Sequence, residues 1–470
     1  MLKIFFTVCL SVLGYISFGQ AITISEELPL RNEFNYTILG WISGDLLLLR
    51  DKGHEFYVQS FDNDLHLKWE REISLGTDKT DLIGVVSHND RIHILFGMRE
   101  KGTYYIQHRS FDHSISPIDT MTMDSIEENY LSPSFGMAKS EDESKVMIYR
   151  EDNSNLKMIS YDLDKRQVIS TYTLKLSGAN MERNYSSMEV TNAGDFFLTL
   201  IADRDQQKVH NLEVFSNIPG DDKIRRDVIE MEEQQVYDYY TQYDNEHDDL
   251  VITGLYSEHN ISRAQGFYFV RYEPGVDHTI HYLPFDDELI AEVNGKEVSE
   301  SKGLSDFNVQ KVALRKDGGV VVIAELNKEF SRRSSLPVHR DNGTFDHGGW
   351  VDYYYEDLIL IGINPDGSLH WNKVLRKRQY SQDDDAMYSS FLLFKTSSRL
   401  RFLFNDEIKQ ENTVGGYEVT GSGYAERKTV FNTDYQKLKL RFKDGLQVAY
   451  NECIVPSERN NKLNLVRIKY

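Results

Sequence analysis

The strongest constraint on this chain is a short apolar run that recurs along its length. Eight such runs, each opened by a polar or glycine turn, begin near Leu46, Ile92, Val146, Phe196, Leu250, Val320, Leu400 and Leu446. Their starts lie 46, 54, 50, 54, 70, 80 and 46 residues apart. A unit of about 50 residues is the size of one four-stranded propeller blade. Inside the first unit, Asp45–Arg50 is followed by the turn Asp51-Lys52-Gly53, then Glu55–Phe61, Asp62-Asn63-Asp64 and Leu65–Ile73. The last turn keeps a register. Asp62 precedes Trp69 by seven residues, and Asn364 precedes Trp371, Asp162 Ile169 and Glu273 Ile280 by the same seven. An acid or amide at that place can satisfy turn amides, and the large apolar residue is expected on the inward face of its strand.

Composition agrees with β structure: Tyr (28) and Phe (24) are abundant, Pro (9) is scarce, and no long stretch carries a 3.6-residue apolar period. The expected fold class is therefore all-β, a single β-propeller with eight blades in preference to seven. An open array of antiparallel sheets is the alternative. Strands near Leu446–Ile454 and Leu463–Tyr470 leave the last unit one strand short. Ile22–Leu30 is expected to supply it and so close the ring, removing an exposed sheet edge.

The first residues have a different character. Lys3 precedes the apolar run Ile4–Ile16, and Ser17-Phe18-Gly19 places small residues before Gln20. That layout predicts a signal peptide over 1–19, cleaved between Gly19 and Gln20, and a mature domain over 20–470. The chain is thus expected to be exported, with the periplasm ahead of the outer-membrane surface or the exterior. No later run is long enough for a transmembrane helix. Cys453 alone remains in the mature chain, so no intramolecular disulfide is expected. A net charge of -21 argues against nucleic acid as a partner.

Motifs for chemistry are few. The sequence holds no HExxH, GxSxG, Walker or GxGxxG pattern in its required frame. The acid runs Asp286-Asp287-Glu288 and Asp383-Asp384-Asp385 read as solvated loops, and no cofactor or metal is assigned. Asp366-Gly367-Ser368-Leu369-His370-Trp371 resembles the Asp-box turn of sialidase-like propellers, but its glycine comes one place early, and such boxes are structural. The reading is a non-enzymatic binding or scaffold propeller. The alternative is a carbohydrate-active or other hydrolytic enzyme with its site at the central channel.

Extra residues indicate where binding would occur. With strands labelled a to d in each blade, the long segments 286–306, 327–356 and 407–427 read as one d–a connection and two b–c loops, all opening on one face of adjacent blades. The middle one brings Phe345, Trp350, Tyr353, Tyr354 and Tyr355, candidate contacts for a protein or a glycan.

Between residues 350 and 406 the sequence resembles a group of uncharacterised exported β-repeat proteins of Bacteroidota. The likeness is carried by Tyr353-Tyr354-Tyr355-Glu356-Asp357, by Asn364-Pro365-Asp366-Gly367 with Trp371, and by Lys377-Arg378-Gln379, Tyr388-Ser389-Ser390 and Phe404-Asn405-Asp406. It implies export and a propeller-like repeat, and it transfers no activity.

Overall fold

Seven of the eight apolar runs lie in strands buried on both sides, which is why they read as continuous and do not alternate. The computed structural model describes residues 20–470 apart from 31–34, 54, 77–79, 128–132, 153, 177–180, 182–186, 202–210, 218–222, 259–261, 296–302, 334–337, 340–344, 347–348, 409–412 and 434–436. The expected cleavage point at Gly19 thus lies outside the described residues. Among the described residues, eight antiparallel sheets make up an eight-bladed β-propeller, and Val338–His339 with Phe345–Asp346 form a separate two-stranded ladder. In the first blade Asn35–Ile42, Asp45–Asp51, Phe56–Phe61 and Leu67–Ile73 pair in chain order, and the pattern repeats in blades two to seven.

Alternation along each second strand divides its side chains between two interfaces. Leu47 and Leu49 pack with Ile92, Ile94 and Phe96 of blade two, while Leu46 and Leu48 pack with Ile454, Leu463 and Leu465 of blade eight. Among the described residues the core divides in this way into eight clusters, one at each blade interface. Burying one Leu or Ile side chain contributes about 1.5–3 kcal/mol, so each interface is a small core in itself. The cluster joining blade eight to blade one closes the ring.

Closure uses the N-terminal strand. In blade eight Leu446–Ala449, Glu452–Arg459 and Lys462–Lys469 are the first three strands, and Ala21–Ile24 pairs with the third from Ala21 opposite Lys469 to Ile24 opposite Val466. Leu28–Pro29 pairs with the same strand at Leu463 and Lys462. One expectation needs correction here. The eighth apolar run, begun at Leu446, is the inner strand of its blade, and the buried second strand follows it as Glu452–Arg459. Tyr450 and Asn451 form the tight turn between them, which the run of apolar letters had hidden.

The seven-residue register is also uneven in space. Turn acids do what the sequence implied: Asp62 Oδ1 accepts the amides of Asp64 and His66, both at 2.9 Å. The outer strand then carries a bulge, between Leu67 and Trp69 in blade one and between Val168 and Ser170 in blade three. Ile169 is itself the extra residue and is 38% exposed, but its side chain lies against Gly194 of blade four, where a Cβ would stand 2.5 Å from it. Trp371 also reaches the next blade, where its Nε1 donates to Gly421 O at 3.0 Å. Gly423 (φ 81°) lets it lie there, since a Cβ would stand 2.6 Å from the ring.

Between blades two and three lies a polar insertion in the apolar interface. His93 Nδ1 and His108 Nε2 are 2.9 Å apart, and the Tyr161 hydroxyl is 3.0 Å from His108 Nδ1. Burial pushes both imidazoles down to about 4. In the unfolded chain they take up protons near pH 6.5, so between pH 6.5 and 4 the unfolded state binds more protons. Their stabilising contribution is whole above pH 6.5 and is lost as pH falls through 4, on the order of 3 kcal/mol per ring. Two buried carboxyls oppose this. Burial raises Glu189 to about 7 and Asp238 to about 6, so their contribution is whole at acid pH and lost as pH rises through those values. The test is therefore a difference measurement. The destabilisation caused by His93→Gln/His108→Gln should shrink steadily from pH 6.5 to pH 4 in urea titrations; a pH-independent difference would contradict the assignment of neutral buried rings.

Candidate functional site

Blade six departs from the rest. Its second and third strands, Val320–Arg333 and Gly349–Ile363, have 14 and 15 residues, against 8 for Thr413–Thr420 in blade seven. A bulge interrupts the ladder after Glu325, and pairing resumes from Asn327 opposite Tyr355 to Arg333 opposite Gly349. Gln379–Gln382 adds a third strand against Asp352–Tyr355. Asn327–Arg333, Gly349–Tyr355 and Gln379–Gln382 thus form a three-stranded ribbon, here called the arm.

Register decides which side chains share its faces, because directly opposed residues lie on one side and neighbours alternate. Phe330 opposes Asp352, Arg332 opposes Trp350, and Tyr354 is opposed by Lys328 and Tyr380. One face therefore carries Phe330, Trp350, Tyr354 and Tyr380. Phe330 is 50% exposed, with the Arg332 guanidinium 5.6 Å from its ring centre. The Tyr354 and Tyr380 rings are 5.1 Å apart. Asp352 is buried; its carboxylate forms an ion pair with Arg332, Nε lying 2.6 Å away, and accepts from the Tyr380 hydroxyl at 2.6 Å. That hydrogen bond to Asp352 raises the Tyr380 hydroxyl's pKa.

Of the five aromatics singled out from sequence, Trp350 and Tyr354 belong to this platform. Tyr353 and Tyr355 take the opposite face and are engaged there. The Tyr353 hydroxyl donates to Asp385 at 3.3 Å, and the Lys443 ammonium lies 4.2 Å from the Tyr355 ring centre. Phe345 pairs with His339 in the backbone ladder, and its side chain lies outside the described residues. Sequence reasoning missed Phe330 and Tyr380. The available signal was the period-two set Lys328, Phe330, Arg332, which marks a strand running on past the blade.

Of the other two long segments, 286–306 is the expected d–a connection, from blade five to blade six, while 407–427 differs from expectation. In 286–306, Asp287–Asn294 is a helix capped by Asp286, whose Oδ1 accepts the Leu289 amide at 2.7 Å. Leu289 and Ile290 are buried in the core between blades five and six. The segment 407–427 is mainly strand, not loop: Thr413–Thr420 is the third strand of blade seven, and Ala425–Asn432 begins its fourth. Gly415 and Gly416 lie inside Thr413–Thr420. In this strand, glycine marks close approach; a Cβ on Gly415 would stand 2.5 Å from the Asp406 carboxylate.

The motif residues of 350–406 meet in a buried polar network behind the arm. Lys377 and Glu325 form an ion pair at 2.7 Å, both side chains fully buried. Lys377 Nζ also donates to Tyr355 O at 3.0 Å and Gln379 Oε1 at 2.8 Å, and the Ser390 hydroxyl donates to Glu325 at 2.6 Å. Gln379 Nε2 donates to Asn405 O, and Asn405 Nδ2 to Tyr388 O and Leu440 O, each at 2.8 Å. The network ties blades six, seven and eight together. Burial lowers the Lys377 pKa, with Glu325 opposing the fall.

The inner strands leave a second polar space, a cavity of about 400 Å³ walled by blades three to eight. Its wall includes Lys139, Lys311, Lys395 and Lys443 and the carboxylates of Glu141 and Glu189. The Thr241 hydroxyl lies 2.6 Å from Ser187 Oγ and 3.4 Å from Glu189, whose carboxyl burial brings to about 7. The channel was foreseen as a place for chemistry, but none of these residues was named from sequence. None of them belongs to a recognisable motif.

Fold and sites together define an eight-bladed β-propeller with a projecting ribbon and a polar axial cavity. No family model matches the sequence, and no curated protein matches it. Solved structures similar to it include the polysaccharide lyase Uly1, with 7% identity over 95% of this chain and 99% of that chain and a TM-score of 0.43. A DUF4221-family protein from Bacteroides vulgatus gives 8% identity over 87% and 99%, with a TM-score of 0.35. The β-propeller domain of the Trilobed protease from Pyrococcus furiosus gives 11% over 89% and 98%, with a TM-score of 0.37.

Proposed function

We propose that this chain is an exported, non-enzymatic binding propeller that holds a protein partner on the aromatic face of its blade-six arm. The observation that carries the reading is the platform of Phe330, Trp350, Tyr354 and Tyr380, fixed from beneath by Asp352 with Arg332 and Tyr380. Trp, Tyr and Arg dominate protein-contact hot spots, because large rigid rings bury much area at little entropic cost. A third strand and a buried carboxylate stiffen the ribbon, which lowers the ordering cost of binding. A sugar ring stacks on an open aromatic face, whereas here Arg332 lies over Phe330 and Tyr354 lies against Tyr380.

The test is affinity capture from a cell-envelope extract of the protein's own source. Phe330→Ala/Trp350→Ala should reduce capture of a specific protein at least about tenfold with little change in melting. Tyr353→Ala, on the other face, should retain it. Equal capture by all three chains would contradict the reading, and so would platform-dependent binding of an oligosaccharide in place of a protein.

A further inference from the structure

We infer that the axial cavity is a binding site for a small dianion, held between Lys311 and Lys395 of adjacent blades. This goes beyond the arm and stands on a separate observation. The chain carries 74 acids against 53 lysines and arginines, yet the cavity wall reverses that balance. In the cavity wall Lys139 pairs with Glu143, and Lys443 sits on the Tyr355 ring. Lys311 and Lys395 line the same cavity and have no ion-pair or hydrogen-bond partner for their ammoniums among the described residues. Both side chains are exposed to solvent in the cavity, where their like charges repel each other without a counter-charge. Desolvation within the cavity lowers the Lys395 pKa; Glu141 opposes the fall and Lys311 adds to it. A guest carrying two negative charges would relieve both ammoniums at once.

The surroundings suit such a guest. Gln447 of blade eight clamps the Lys395 backbone, accepting its amide at 2.9 Å and donating to its carbonyl at 2.7 Å, so this lysine projects from a fixed base. Gln242 and Tyr240, on the blade-five wall, add an amide and a hydroxyl to the lining. About 400 Å³ lies in the range of small-molecule sites. Four ammoniums against two carboxylates make the wall cationic inside an acidic molecule, and a low-dielectric surround focuses that field on the cavity. The chemistry is shared by a phosphate and by a short dicarboxylate.

Isothermal titration of the full chain with inorganic phosphate, and separately with succinate, at low salt tests the site. One of the two should bind with one-to-one stoichiometry, and the tighter identifies the ligand class. Lys311→Gln and Lys395→Gln should each weaken that binding at least tenfold, and the pair should abolish it. Melting temperature should stay the same or rise, because a repulsion is removed. Lys139→Gln should change affinity less than twofold. Binding of neither probe at ~10 mM, the range of the weakest specific sites, would overturn the inference, as would binding that survives in the double variant. Either failure leaves the arm reading intact, since Phe330 and Trp350 play no part in this site.

Discussion

Replacing Lys377 with Met should cost the folded protein about 3–5 kcal/mol, because it leaves Glu325 buried beside an apolar side chain. Both members of this pair are fully buried, 2.7 Å apart. Their other hydrogen bonds go to Tyr355, Gln379 and Ser390, so a stranded Glu325 charge would be left among neutral groups. The loss should fall mainly on blades six to eight, whose d–a connection is held by the same network. Glu325→Leu/Lys377→Met should recover most of it, to within about 1–2 kcal/mol of the parent, since an apolar pair of similar volume removes the desolvation cost from both sides. Urea denaturation of the three chains decides. A single variant within about 1 kcal/mol of the parent would mean the pair is not sealed from solvent.

That network also explains why the text of 350–406 is distinctive without naming a function. Lys377, Gln379, Tyr388, Ser390 and Asn405 meet one another, Glu325 and the backbone of Leu440 and Glu458, so their pattern records how three blades are joined. Blade number and closure were legible because each blade repeats a doubly buried strand, and eight such strands leave eight runs of letters. The eighth run was shifted by a strand, since Leu446–Ala449 and Glu452–Arg459 are separated by a two-residue turn. The arm was legible as a cluster of aromatics but not as a face. Phe330 joins Trp350 through cross-strand register, and Tyr380 joins through a third strand 25 positions beyond Tyr355. The axial lysines were illegible for a stronger reason: Lys311 and Lys395 converge only when a ring places their inner strands side by side.

Both proposed sites depend on that ring being closed, and closure is where the largest disruption is expected. Ala21–Ile24 and Leu28–Pro29 cover the edge of Lys462–Lys469. Leu28 is buried in the core between blades eight and one, and Ile22 and Ile24 pack against the core between seven and eight. Ser25 exchanges bonds with Leu465, its amide donating at 2.9 Å and its hydroxyl accepting at 2.8 Å. Removing Ala21–Leu30 should therefore cost at least about 5 kcal/mol in burial and ladder bonds. It also bares an apolar edge, so the shortened chain should aggregate or elute as oligomers.

Closure can be measured directly with a cysteine pair. Thr23 and Arg467 are opposed in the ladder, and Arg467 Nη2 donates to Thr23 Oγ1 at 3.1 Å. Opposed residues in antiparallel strands bring their Cβ atoms within about 5 Å, a spacing a disulfide can span. Cys453 will not compete, since it is buried and its thiol is pushed up to about 12. In a chain beginning at Gln20, Thr23→Cys/Arg467→Cys should form an intramolecular disulfide under mild oxidation and gain about 2–4 kcal/mol that reductant removes. Free thiols after oxidation, or disulfide-linked dimers in place of the internal bond, would show that the N-terminal strand does not close the ring.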